Sequence, residues 1–138
     1  MLTLLDGRMA KTILVVDGSA DVITSVRFGL ESITKDYQVV GAESGKQCLD
    51  LLLHNEKSDL ILLEIMMPDM IGWELFNKLK EDKARKEIPV VFLTTRTDTV
   101  AKNAGKFLGD DYIEKPFEIQ DVNNRIHKVF EKRDEDNI

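Results

Sequence analysis

Three apolar runs with no polar interruption set the fold: Ile13-Leu14-Val15-Val16, Leu60-Ile61-Leu62-Leu63 and Val90-Val91-Phe92-Leu93. A strand with one face in water alternates apolar and polar residues, and none of these does. Each run is therefore expected to be buried on both faces, as in a parallel sheet covered by helices on either side. Each also stops at a polar residue: Asp17, Glu64 and Thr94.

Between the runs the spacing turns helical. After Ser19, a candidate N-cap, Val22, Ile23, Val26, Leu30 and Ile33 recur at helix spacing up to Thr34-Lys35-Asp36. Tyr37-Gln38-Val39-Val40 reads as a second strand. Ser44-Gly45-Lys46-Gln47 has capping-box form ahead of Cys48, Leu49, Leu51 and Leu52. A loop through Met67-Pro68-Asp69 and Gly72 leads to a third helix bearing Leu75, Phe76 and Leu79, and Pro89 opens the fourth strand at a tolerated position. Val100, Ala101, Ala104, Phe107 and Leu108 predict a short fourth helix ending near Gly109, and Tyr112-Ile113 a very short fifth strand. The last helix, marked by Ile119, Val122, Ile126 and Val129, is expected to dissolve into a solvated, frayed segment from Glu131 to Asp136. Five strands alternating with five helices predict an α/β fold, a doubly wound parallel sheet in three layers.

Composition excludes several functions. The chain has 138 residues, with 25 Asp plus Glu against 19 Lys plus Arg and a formal net charge of −6. One core of this size folds without metal or disulfide staples. The acidic balance argues against nucleic-acid binding, which draws its affinity from clustered Lys and Arg. Lys78, Lys80, Lys83, Arg85 and Lys86 alternate with Glu81, Asp82 and Glu87 as a mixed solvated face. The single Cys48 allows no intrachain disulfide, and His54 and His127 have no partners at zinc-ligand spacing. No apolar stretch approaches the roughly 20 residues of a membrane helix. Leu2-Thr3-Leu4-Leu5 is too brief for a signal-peptide core, so no membrane association and a cytoplasmic location are the expectation. Residues 1–10 read as an N-terminal extension, and Met9 is an alternative start that would make the first eight residues of little structural consequence.

In an open sheet of this kind, ligands bind beyond the carboxyl ends of the strands, where the strand order reverses. Those ends carry Asp17, Glu64, Thr94-Thr95 and Lys115. Two carboxylates, hydroxyls and an ammonium suit a hard cation such as Mg²⁺ together with a transferable phosphoryl group, whose oxygens each of them can stabilise.

The motifs Ile13-Leu14-Val15-Val16-Asp17, Asp59 through Pro68, Pro89 through Thr94 and Asp110 through Phe117 resemble the receiver domain of two-component response regulators. The resemblance covers Lys11 to about Lys132, leaving 133–138 as a charged C-terminal tail. It implies a flavodoxin-like fold with strand order 2-1-3-4-5, phosphate coordination by Thr94 and Lys115, and a cis Lys115-Pro116 bond. It also implies Tyr112 as an aromatic switch residue coupled to Thr94, and a metal ligand in the Met66 backbone carbonyl. The segment before Asp110-Asp111 is about one residue shorter than the family usually has.

Two positions depart from the family pattern. The family places adjacent acidic residues after strand one and a phosphorylated Asp after strand three; here these are Asp17-Gly18 and Glu64. Asp17, Glu64 and the Met66 carbonyl remain as oxygen donors, so Mg²⁺ binding is expected to be weakened. The extra methylene of Glu64 advances its carboxylate by roughly 1 Å, a displacement that can cost about 100-fold in a positioned reaction. The same reach brings the carboxylate toward Lys115 and Thr94, as a built-in mimic of a phosphoryl oxygen.

The expected function is thus an atypical, stand-alone receiver in phosphorelay signalling, not an enzyme. Its expected partners are a histidine kinase or other signalling protein and a downstream effector reached by contact. The alternative is a phosphorylation-independent pseudo-receiver acting as an interaction module. A flavin protein or aspartyl phosphatase of similar topology is disfavoured. Asp17-Gly18-Ser19-Ala20-Asp21 has neither a Thr/Ser-rich phosphate loop nor Asp-x-Asp spacing.

Overall fold

The computed structural model describes residues 4–5, 8–54, 57–95 and 109–136. Five strands form one parallel sheet: β3 (Lys11–Val16), β4 (Tyr37–Ala42), β5 (Leu60–Leu63), β6 (Val90–Thr94) and β7 (Asp111–Glu114). Their order is β4-β3-β5-β6-β7, the expected 2-1-3-4-5. Near the N-terminus, β1 (Leu4–Leu5) and β2 (Arg8–Met9) pair antiparallel in a separate two-stranded sheet.

Four helices are described: α1 (Ala20–Ile33), α2 (Gly45–Leu53), α3 (Gly72–Glu81) and α4 (Ile119–Asp136). The helix expected between Val100 and Leu108, with the shortened segment before Asp110, lies outside the described residues. Among the described residues, no helix is long and apolar enough to cross a membrane.

The period-2 geometry of a strand divides each apolar run between two cores. Ile13, Val15, Leu60, Leu62, Val91 and Leu93 face α1 and α4, where Val26, Leu30, Val122 and Ile126 meet them. Leu14, Val16, Ile61, Leu63, Val90 and Phe92 face α2 and α3, against Cys48, Leu52, Leu75, Phe76 and Leu79. Residues of these runs are at most 1% exposed, so the uninterrupted apolar pattern is the signature of a sheet with no wet face. Trp73 and Phe76 both pack on Phe92, with ring centroids 4.8 and 5.6 Å away.

The caps follow the sequence with one variation. Ser19 Oγ accepts from the Val22 amide at 3.4 Å and Ser44 Oγ from the Gln47 amide at 3.0 Å. Gln47, however, reaches past the cap residue, and its Oε1 accepts from the Glu43 amide at 2.6 Å. The last helix departs further from expectation. It does not dissolve at Glu131 but continues to Asp136, because Arg133 is held by Asp110 at 3.0 Å and donates to the Glu87 carbonyl at 3.0 Å. These partners lie far away in the sequence, where helical periodicity carries no information about them.

Parallel strands all point the same way, so their carboxyl ends share one edge of the sheet. The chain leaves β3 for β4 on one side and returns across it to β5 on the other. The resulting crevice lies between the ends of β3 and β5, where Asp17 and Glu64 stand.

Candidate functional site

Asp17 follows β3 and Glu64 follows β5, and the adjoining backbone is continuous with the ladder: the Glu64 amide donates to the Val16 carbonyl at 2.9 Å. Both side chains are buried, at about 5% exposure. Buried carboxylates need donors on every oxygen, and these have them. Asp17 Oδ1 accepts from the Ser19 amide at 2.9 Å, an Asx turn that leads into α1. Glu64 Oε2 accepts from the amides of Ile65 at 2.6 Å and Met66 at 3.3 Å.

The remaining oxygens converge on one nitrogen. Lys115 Nζ donates to Asp17 Oδ2 at 2.5 Å and to Glu64 Oε1 at 2.9 Å. Its side chain is 12% exposed. Burial pulls the ammonium pKa down, but the hydrogen bonds and charges of Asp17 and Glu64 outweigh it and hold the pKa above the ordinary lysine value. Two carboxylates and one ammonium leave the cluster with a formal charge of −1, partly offset by the three amide dipoles.

Lys115 is aimed by the backbone around it. Its amide donates to the Thr94 carbonyl at 2.9 Å, extending the pairing of β6 with β7, and its bond to Pro116 is cis, as the resemblance implies. Thr94 is fully buried at the end of β6. Tyr112 stands opposite Phe92 in the β6–β7 register and is buried in the core beneath α2 and α3. Met66 contributes its amide to Glu64, while the residue as a whole is 58% exposed. Thr95, also noted at this strand end, is exposed.

The loop from Glu64 to α3 holds features with no counterpart in the motif reading. Asp69 reaches across to α2, its Oδ1 accepting from the Gly45 amide at 3.1 Å and its Oδ2 from the Lys46 amide at 3.0 Å. These amide bonds, that from Lys46 foremost, hold its carboxyl below the usual range. A Cβ at Gly72 would fall 2.5 Å from the Glu64 carbonyl oxygen, so only glycine lets α3 begin directly against that peptide. On the opposite side of the site, a Cβ at Gly18 would lie 2.9 Å from Pro68 Cδ. The Pro68 ring therefore stands where a side chain at position 18 would begin. An acidic residue just after the loop proline and a capping box on the neighbouring helix are the available signals for the Asp69 contact. Nothing in the residue types signalled the approach of Pro68 to Gly18.

A cation at this site would draw on Asp17, Glu64 and the Met66 carbonyl. Both carboxylates are already bonded to Lys115, and the described residues contain no group of three His, Cys, Asp or Glu able to hold a metal ion.

With this geometry in place, likeness to known proteins becomes informative. The family model for the response regulator receiver domain matches residues 13–127. The chain is 39% identical over 124 residues to Histidine kinase P4 of Formosa agariphila, a match covering 88% of this chain and 9% of that protein. It is 34% identical over 125 residues to the alkaline phosphatase synthesis transcriptional regulatory protein PhoP of Bacillus subtilis, covering 90% of this chain and 50% of PhoP. The structure is similar to that of the Vibrio cholerae chemotaxis protein CheY4, with a TM-score of 0.77 and 26% identity over 87% of this chain and 98% of that one. The chain spans about half or less of the length of the curated relatives it matches.

Proposed function

The chain belongs to the response regulator receiver family of two-component signalling, and we propose that within it this is an atypical member that signals by protein contact without phosphoryl transfer to position 64. The observation that carries this reading is the 2.9 Å contact between Lys115 Nζ and Glu64 Oε1.

A phosphoacceptor must offer a carboxylate oxygen to the incoming phosphorus. Glu64 has one oxygen bonded to the ammonium and the other to two amides, and these bonds, one of them charge-assisted, stabilise the carboxylate and lower its nucleophilicity toward phosphorus. Its extra methylene already places negative charge against Lys115, which is the pairing a phosphoryl oxygen would otherwise create. The lysine is thereby drawn to the ends of β3 and β5, with Thr94 buried next to it across the β6–β7 pairing and Tyr112 buried three residues before it. The pocket thus has the electrostatic character of the modified state, with Thr94 and Tyr112 in the roles of switch residues. In this reading Mg²⁺ binding is weakened, since Gly18 supplies no carboxylate.

Receiver domains act through histidine kinases and effector proteins, and a partner of this kind is proposed here. The surface next to the switch position offers a groove between β7 and α4 lined by Glu114, Phe117, Glu118 and Asp121, with Arg125 paired to Asp121 at 3.2 Å. That chemistry suits a partner presenting basic residues around an apolar contact. We propose residues 11–132 as the signalling unit, preceded by an extension over 1–10 and followed by a charged segment from 133, whose first part is the end of α4 anchored through Arg133.

The test is phosphorylation by a small-molecule phosphodonor with Mg²⁺, read by intact mass. No adduct is expected. A stoichiometric, base-labile adduct that disappears in Glu64→Gln would overturn the reading.

A further inference from the structure

We propose that Lys115 is the resident cation of this pocket: its ammonium takes the place of a divalent ion between Asp17 and Glu64, while Pro68 closes the space over Gly18. The inference rests on the reading of the pocket as a site that is not phosphorylated, but it concerns a separate property, the identity of the charge that holds the two carboxylates together.

Three observations carry it. First, Lys115 Nζ lies within hydrogen-bonding distance of both carboxylates at once, 2.5 Å from Asp17 and 2.9 Å from Glu64. Second, the other two oxygens are taken by the amides of Ser19, Ile65 and Met66. Every oxygen of both carboxylates therefore has a donor. A divalent ion such as Mg²⁺ demands oxygen ligands at about 2.0–2.1 Å in near-octahedral geometry and gives up water reluctantly. An ion seated between the two acids would have to compete with the ammonium for Asp17 Oδ2 and Glu64 Oε1, the two oxygens that face each other across the site.

Third, the volume from which a further acidic ligand would act is closed at its base. A Cβ at position 18 would stand 2.9 Å from Pro68 Cδ, a ring atom tied to the backbone and unable to swing aside like a chain end. The loop carrying Pro68 is itself fixed on either side, by Asp69 on the α2 amides and by the Gly72 amide on the Ile65 carbonyl at 2.6 Å. The charge count agrees. With the ammonium in place the buried cluster carries −1; adding a divalent ion without removing the lysine would reverse it to +1 in a poorly solvated site.

The experiment is thermal unfolding of the full chain in MgCl₂, in MnCl₂ and in EDTA at matched ionic strength, with Trp73 fluorescence followed in parallel. A cation held with a dissociation constant about 100-fold below its concentration would raise the Tm of a domain this size by about 10 °C. For the wild-type chain the expected result is the same Tm and the same fluorescence in all three solutions. Lys115→Met, which frees both carboxylates, should gain a rise in Tm specific to divalent ions, and Lys115→Arg should not.

A saturable Mg²⁺-specific stabilisation of the wild type overturns the inference, as does a folded Lys115→Met variant indifferent to divalent ions. Should Lys115→Met fail to fold in every solution, the wild-type measurement decides alone. Cation binding by a wild type that takes no phosphoryl group would sink this inference and leave the proposed function standing. A Glu64 adduct formed without any divalent ion would do the reverse.

Discussion

Two charge clusters tie the last β-α unit to the rest of the sheet, and they stand at opposite ends of it. At the carboxyl ends of the strands, Lys115 holds Asp17 and Glu64 with all three side chains at most 12% exposed. At the other end, Arg133 grips Asp110 bidentately and lies near Glu87, with side-chain exposures of 31%, 23% and 81%. Both clusters are cation-carboxylate contacts, yet their energetics differ in kind. In the first, removing the lysine leaves two carboxylates out of water with no counter-charge. In the second, solvent reaches both sides of the ion pair and can replace the lost charge contact. A cluster with two acids, one base and little solvent is a costly way to fasten a strand, which is why we assign function to one end of the sheet and architecture to the other.

The largest effect expected is from removing Lys115. Lys115→Met should destabilise the domain by about 3–5 kcal/mol in urea unfolding, the usual cost of leaving a buried charge unpaired. Two carboxylates then face each other, and at an effective dielectric of about 20 a pair of unit charges 4 Å apart repel by about 4 kcal/mol. Glu64→Gln in the same background should recover part of that loss by removing one charge. If Lys115→Met costs no more than an exposed pair does, the contrast between the two ends is wrong.

How far this contrast could be read from the sequence depends on the range of the interaction. The sheet was legible because both its faces are buried, so the apolar runs had to be uninterrupted. The end of β4 was less so, since Gly41 and Ala42 extend the strand with residues of low strand preference. The Glu64–Lys115 pair was expected from chain topology plus the length of the Glu side chain, although 51 positions separate the two. Capture of Asp17 by the same ammonium, across 98 positions, was not. That contact depends on the rotamer of Lys115, which neither periodicity nor motif encodes. Pro68 over Gly18 is a matter of loop conformation at the level of single ångströms. The clamp on Arg133 was missed because a charged segment reads as solvated unless its partner's position is known.

Alkaline titration should sharpen the comparison next, because the groups with raised pKa belong to the interior. Burial pushes the Cys48 thiol up to about 12 from 9.0, and burial followed by repulsion from Asp36 and Glu131 pushes Tyr37 up to about 12 from 10.0. Lys115 is raised as well. In each case the folded state keeps a proton that the unfolded chain has released, so stability is complete below the unfolded pKa and is lost as pH rises toward the folded one. Stability should therefore begin to fall near pH 9, at about 1.4 kcal/mol per pH unit for each group engaged. Cys48→Ala should delay the onset by about one pH unit, to where Tyr37 takes over. An onset unmoved by that substitution would assign the alkaline loss to other groups.

A smaller effect is expected at Asp69, which belongs to the functional end but lies on its surface. Asp69→Ala removes two amide bonds at the start of α2 and should cost about 1 kcal/mol, the usual value of a helix cap. Its carboxyl is held below the ordinary range, so its contribution is present above about pH 4 and disappears on acidification through the folded pKa. The informative readout is Trp73 fluorescence, because Asp69 anchors the loop that leads from Glu64 into α3. A stability loss with unchanged Trp73 emission would limit Asp69 to capping α2.

The smallest effect should come from Arg133, and it tests the architectural half of the comparison. Arg133→Ala breaks the bidentate contact with Asp110 and the hydrogen bond to the Glu87 carbonyl. Because both acids reach solvent, the loss should stay below about 1 kcal/mol. It should also shrink as salt screens the pair, with a Debye length near 8 Å at physiological ionic strength. Asp110 keeps a second task, since its Oδ2 accepts from the Val90 amide at 2.9 Å at the start of β6. Asp110→Ala should therefore cost more than Arg133→Ala, by roughly the 1–3 kcal/mol of an unsatisfied buried amide. Urea unfolding of the two variants at low and high salt separates the contributions. The Arg133 loss should fade with salt, and the excess at Asp110 should persist. An Arg133 effect as large as that of Lys115 and insensitive to salt would make the two ends of the sheet equivalent, and burial would no longer distinguish the site from the scaffold.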